Sequence, residues 1–268
     1  QADSRKQKQD DRKDKRSDDE GAILFCAREQ GNVFNGIILL FLTVTISAFE
    51  QDIWGVAGSF TYGISMISLY TVSSVYHGLK PGLAKKVMQV IDHCTIYLLI
   101  AGTYTPILLV AMRPEYPVLA WVVFGAEWAL AAFAATFTAI DHNKYKKLSM
   151  VFYILMGWFI VLCFKQTVEV LTVSGMLWIL SGGISYTIGA VLYGIGKKNP
   201  IYHTVFHIFV VIGTLLQAIG ILFYVLYLIF LFLLCVLYQT FLSSFYHVDP
   251  FLFQLISQHL LLHLFFYF

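Results

Sequence analysis

From Val33 to Val225 the chain runs in apolar stretches of helix-spanning length, and short polar links hold nearly all the charge between them. A hydrocarbon core of about 30 Å takes roughly 20 apolar residues of helix. By that ruler the candidate spans are 33–49, 55–77, 90–112, 118–138, 149–168, 174–195 and 201–226. The links are EQD near 50, LKPGLAKK from about 79, RPEYP at 113–117, DHNKYKK at 141–147 and GKKNP at 196–200. Short links between long helices force neighbours to run antiparallel. The strands of a membrane barrel would alternate in polarity, and VLAWVVFGAEWALAAFAATF does not. The expected fold class is therefore all-α: a polytopic seven-transmembrane helix bundle. Composition agrees, with 58% hydrophobic and 13% charged residues, against about 25% charged in soluble domains.

The two ends of the chain read differently. Residues 1–20 carry seven basic and seven acidic side chains and almost nothing apolar, so 1–27 is expected to be a disordered charged tail. Its balanced charge argues against a nucleic-acid partner. Beyond the membrane domain at 28–226, residues 227–268 form an apolar extension interrupted by Asp249 and Pro250. That extension is either an extra hydrophobic helix or not a genuine part of the functional protein. The four cysteines, Cys26, Cys94, Cys163 and Cys235, form no CxxC pair and no disulfide framework.

Lysine and arginine fix the expected orientation. Sixteen of the eighteen fall in the N-terminal segment and in the links after spans two, four and six; Arg113 and Lys165 are the exceptions. These four regions share one parity, so the N-terminus and the basic links are expected on the cytoplasmic side of a cell membrane.

Polar groups within apolar spans are costly and mark candidate sites. Ser73 precedes His77 by one helical turn at the end of span two, Asp92 opens span three, and His203 and His207 open span seven. A spacing of four puts His203 and His207 on one helix face. The parity argument brings all these groups to one cytoplasmic layer, though lateral proximity does not follow from it. Three histidines, His77, His203 and His207, suit Zn²⁺, which favours imidazole nitrogen and leaves a fourth position for water at catalytic sites. Zinc lowers the pKa of that water to about 7; Asp92 is then the expected general base, and Ser73 a donor to a substrate oxygen or a ligand-orienting group.

Blander readings stand beside these. HxxxH recurs by chance, as His259 and His263 in QHLLLH illustrate. Asp92 alone suits a helix first turn, and Ser73 alone suits a bond to its own backbone. His93 is read as a loop-facing neighbour, His142 as solvated in a basic link, and Glu127 as an internal contact without an evident partner. The glycines of GGISYTIGAVLYGIG suggest close helix packing.

At these residues the sequence resembles the progestin and adipoQ receptor / hemolysin III family, specifically its bacterial hemolysin III-like branch. The resemblance runs from about Glu29 to Val225 and is carried by TVSSVYHGL, IDHCTIYLLIAGTYTP, LSMVFYILMGW, GGISYTIGAVLYG and NPIYHTVFHIFVV. It implies a seven-span fold with zinc on His77, His203 and His207, with Asp92 and Ser73 at the family's third-span aspartate and second-span serine. It also implies kinship with membrane hydrolases that include alkaline ceramidases. Asn35-Gly36 stands where bacterial members usually show histidine-glycine, and Gln217 where another histidine is common.

The functions expected are a zinc-dependent hydrolase of lipid amides or esters drawn from the bilayer, or a non-enzymatic membrane protein. The second class covers a cytolytic pore or a lipid-state sensor, with zinc as a structural staple. Few polar residues lie away from the cytoplasmic layer, which counts against a pore.

Overall fold

A computed structural model of the chain describes residues 33–226, apart from 35, 39, 42, 46, 48–52 and 196–199; for 143, 200, 201, 203 and 204 it describes the backbone alone. The charged tail, the apolar extension and its His259–His263 pair lie outside the described residues.

Every regular element among the described residues is helical. The described residues between 33 and 47 are helical and form a first helix, α1. It is followed by α2 (Ile53–Gly78), α3 (Leu83–Pro106), α4 (Pro117–Ile140), α5 (His142–Gly157), α6 (Phe164–Ile195) and α7 (Pro200–Gly220). The starts follow local chemistry. Pro117 occupies the first turn of α4, where its missing N–H costs nothing. The Asp141 carboxylate accepts from the Lys144 amide at 3.0 Å and caps α5.

Four irregularities interrupt or extend the helices among the described residues, one of them a π-helical turn, Ile221–Leu226, that continues α7. Pro106 ends α3, and the chain continues as a π-helical turn, Ile107–Met112; proline lacks the donor that the regular ladder needs there. Past α5 comes a 3₁₀ turn, Phe159–Cys163. In α6, Thr172 takes a left-handed φ of 65° with ψ 167°. Its hydroxyl accepts from the Gly175 amide at 3.5 Å, capping the limb that follows. The helical run Lys144–Ile195 spans 52 residues, which straightened would be more than twice the thickness of a bilayer core. It folds back at Thr172 instead: Trp158 donates to Thr187 at 2.9 Å, and the Met150 thioether approaches Gly194.

Each helix packs antiparallel to the next. Ser47 meets Ser59 between α1 and α2, Gly58 abuts Pro106 between α2 and α3, and Trp128 donates to Thr105 between α4 and α3. Thr138 meets Ser149 between α4 and α5, and Ser185 donates to the Phe209 carbonyl between α6 and α7. The α6–α7 contact is the one that the glycine run anticipates: a β-carbon on Gly182 would sit 2.4 Å from the Gln217 side chain.

Among the described residues, four helical stretches are long and apolar enough to cross a membrane: Leu83–Glu115, Pro117–Ile140, Lys144–Ile195 and Val205–Leu226. Large apolar side chains also point outward, among them Val122, Phe133, Leu162 and Leu177. A water-facing surface would not carry apolar area on this scale. The protein is an all-α membrane protein.

Charge is sorted to the bundle's ends. At one end, Lys85 donates to the Leu79 carbonyl at 2.9 Å and Lys146 lies over the Tyr193 ring. At the other, Arg113 stacks on Trp54, Lys165 pairs with Glu169 at 4.0 Å, and Tyr116 donates to Glu169. The link between α2 and α3 is shorter than the sequence suggests. It comprises only residues 79–82, because α3 starts at Leu83 and Lys85 and Lys86 are already helical.

Candidate functional site

The early start of α3 decides between two readings of Asp92. It lies well inside the helix rather than in its first turn, so it is not a cap. Its carboxylate is 8% exposed and faces Ser73, which is 4% exposed, across the α2–α3 contact. Ser73 also departs from the bland reading. Thr61, Ser65, Thr103, Thr105, Thr138 and Thr167 donate to carbonyls three or four residues back, as hydroxyls in membrane helices do. The Ser73 hydroxyl makes no hydrogen bond of normal geometry, to its own backbone or to another group. It faces the Asp92 carboxylate instead.

One turn beyond Ser73, the His77 ring meets the His207 ring of α7, with centroids 5.2 Å apart and planes at 83°. Helices separated by more than a hundred residues thus bring two of the three proposed ligands into contact. His203 is on α7, one turn before His207 and on the same helix face by the helical period. Its side chain lies outside the described set. Among the described residues no group of three histidine, cysteine or acidic side chains is placed to hold a metal ion. The donor set in view, two imidazoles from different helices beside a carboxylate–hydroxyl pair, matches the chemistry that zinc favours.

Ser73, Asp92 and His207 line one end of a cavity with about 120 Å³ open to the centre of a water molecule, room for roughly ten waters. Ile96, Leu99, Ile100 and Val210 form its middle, and Thr103, Tyr104, Gly157, Gly183 and Gln217 its far end. Tyr70 and Tyr186 also line it. Their hydroxyls converge on Thr214 at 2.9 and 2.8 Å, tying α2, α6 and α7 together.

Two expectations change. His142 is not solvated: it is 7% exposed, both ring nitrogens lack a hydrogen-bond partner, and its ring packs against His93 with centroids 4.1 Å apart. His93 is therefore a packing partner of α5 rather than a loop-facing group; its Nδ1 lies 2.8 Å from the Gln89 carbonyl. This second histidine pair is too closely packed to take an ion between the rings, whose metal–nitrogen bonds alone need about 2.0 Å each. Glu127 is fully buried and neither carboxylate oxygen has a hydrogen-bond partner.

The sequence profile of the family described as "Haemolysin-III related" matches residues 31–218, most of the chain. The chain belongs to that family. Hemolysin-3 of Bacillus cereus is 38% identical over 165 residues, 62% of this chain and 74% of that protein. The Hemolysin-3 homolog of Bacillus subtilis is 33% identical over 186 residues, 69% of this chain and 85% of that one. A human protein, monocyte to macrophage differentiation factor, is 26% identical over 200 residues, covering 69% and 79%. No solved structure matches. The profile encloses every proposed site residue and ends close to where the described helices end.

Sequence reasoning missed the cavity and the Tyr70–Thr214–Tyr186 junction. Tyrosines within apolar spans were the available signal, since a buried phenol needs a partner. Which helices supply that partner is not written in the local sequence.

Proposed function

We propose that this haemolysin-III-related protein is a seven-span membrane hydrolase that cleaves an amide or ester of a lipid at the cytoplasmic end of its bundle. The observation that carries the reading is the cavity: Ser73, Asp92 and His207 gather at one end of an otherwise largely apolar chamber. That arrangement suits a molecule with a polar reacting centre and a hydrocarbon chain. His77, His203 and His207 would hold Zn²⁺, which when bound supplies Lewis-acid polarisation of a carbonyl and a water of lowered pKa. Asp92 takes the proton from the attacking water and returns it to the leaving nitrogen or oxygen. Ser73, whose hydroxyl faces the Asp92 carboxylate, donates to the substrate oxygen or holds Asp92 in place.

The orientation rests on charge. Sixteen of the eighteen lysines and arginines fall in the N-terminal segment and in the links after spans two, four and six, which supports the assignment of that side to the cytoplasm. The seven spans follow if α1 and α2 cross the membrane and if the run through Thr172 counts as two crossings.

Two relatives carry the name hemolysin, and lysis through a pore is the second reading. A pore needs a continuous polar path, and Ile96, Leu99 and Ile100 interrupt the polar lining of this cavity. The deciding experiment measures bound zinc and lipid-amide hydrolysis on purified full-length protein, with His207→Ala and Asp92→Asn alongside. Hydrolysis by the wild type that Asp92→Asn abolishes without zinc loss supports catalysis. Zinc that is essential for folding in a protein that never turns over would leave a structural staple, and a metal-free wild type would overturn the site.

A further inference from the structure

Beyond the far end of the main cavity, away from Asp92, lies a smaller inner chamber, with about 20 Å³ open to the centre of a water molecule. Thr103, Tyr104, Gly157, Trp158, Gly183 and Gln217 line both spaces, and the inner one is closed by Ile107, Ile160, Ile179 and Leu180. The two chambers therefore adjoin along a shared boundary, here termed the portal, and two of its linings are glycines on different elements. A β-carbon built on Gly157 or on Gly183 meets no atom within 4 Å. The neighbouring Gly182 is different, since its β-carbon would collide with Gln217 at 2.4 Å. Gly182 is thus small to let α7 approach, whereas packing gives Gly157 and Gly183 no reason to be small. What their missing side chains leave open is the portal.

The portal is also rigid. The Gly157 carbonyl accepts from the Tyr104 hydroxyl at 3.1 Å, and the same hydroxyl accepts from the Ile160 amide at 2.9 Å. The Gly183 carbonyl accepts from Thr187 at 2.8 Å, and Thr187 in turn accepts from the Trp158 indole at 2.9 Å. Both glycine backbones are thereby pinned, and α5 is tied to α6 at the narrowing.

We propose that Gly157 and Gly183 set the length of hydrocarbon chain the protein accepts, by admitting the chain's end into the inner chamber. This rests on the reading of the cavity as a lipid-chain site. From Asp92 to Thr103, α3 rises roughly 16 Å, the reach of about a dozen methylenes, so only longer chains arrive at the portal. Shorter chains end before it and are indifferent to it. A bulky side chain at either glycine excludes the last few methylenes, and each one left unburied lowers affinity about fourfold.

The test measures retention of saturated acyl amides of eight, twelve and sixteen carbons by purified full-length protein, using native mass spectrometry. Wild type is expected to favour the sixteen-carbon amide. Gly183→Leu and Gly157→Leu should lose that preference by tenfold or more while holding the eight-carbon amide as before, and Gly183→Ala should show a smaller step in the same direction. Gly125→Leu, where a side chain also meets open space but lines neither chamber, is the control and should change nothing. Unaltered length preference in Gly183→Leu and Gly183→Ala, with acyl amides still bound, overturns the portal and leaves the hydrolase reading standing. Retention of no acyl amide of any length by wild type removes the lipid-chain reading and the portal with it.

Discussion

Asp92 and Glu127 are carboxylates buried in the helical bundle, and their surroundings differ. Asp92 faces Ser73, lines the cavity, and shares its end of that cavity with His207. Glu127 is completely enclosed, has no hydrogen-bond partner at either oxygen and lines neither chamber. Burying an ionised carboxylate is costly in both places, so burial alone does not separate a working acid from a structural one. Access does. A group that transfers protons to a substrate must touch space that the substrate can enter, and of these two carboxylates only Asp92 lines the cavity. The two histidine pairs repeat the contrast, since His77–His207 adjoins the cavity and His93–His142 is packed shut.

The largest expected effects set these pairs against each other. His207→Ala should strip zinc from the purified protein, measured as metal content, whereas His142→Ala should leave the metal content unchanged. Equal metal loss in both would erase the distinction between the pairs, and loss in His142→Ala alone would reverse it. Next comes the carboxylate comparison. Asp92→Asn should retain zinc and lower lipid-amide hydrolysis by about 10²–10⁴, while Glu127→Gln should leave hydrolysis within a factor of two or so. A Glu127→Gln variant as inactive as Asp92→Asn would break the distinction by access. Ser73→Ala should act in the same direction as Asp92→Asn but less severely, by about 10²-fold if its hydroxyl donates to the developing oxyanion.

Much of this contrast was legible in the sequence, and the illegible part has a physical reason. Span lengths follow from local composition, so the helices could be read directly. The gap between the candidate spans 149–168 and 174–195 marks a division in the sequence, but that the left-handed backbone of Thr172 makes it needed the structure. The meeting of His77 with His207 was foreseen in depth, because parity fixes depth, but not laterally, because neighbour order around a bundle depends on packing between distant segments. His142 went astray for the same reason. Its own link is basic and polar, DHNKYKK, yet its ring is buried by a residue from α3, and no local pattern announces that contact. The early start of α3 was hidden by Lys85 and Lys86, which look like loop and are the first turn of a helix.

His142 provides the finest test, because its effect should be on stability rather than on chemistry. It sits at the start of α5, before the apolar run, among Asp141, Lys144 and Lys146. Burial and then the nearby Lys146 charge pull its pKa below 6.5, with Asp141 opposing them. A histidine whose folded pKa is depressed binds fewer protons folded than unfolded, so stability rises with pH across that interval. Its contribution is complete above pH 6.5 and is lost as the pH falls from there through the depressed folded value. The His93 ring against it and the Tyr153 hydroxyl on the His93 carbonyl, 3.0 Å away, would then feel a charge inside their packing. His142→Phe keeps a ring in the contact and removes the proton. Its melting temperature should match wild type near neutral pH and exceed it by a few degrees as the pH drops below 6, in a melt followed by helical circular dichroism. Because the pair is packed away from the cavity, zinc content should stay constant throughout. A loss of zinc from His142→Phe that tracks the same pH interval would instead tie the second pair to the first and undo the separation between them.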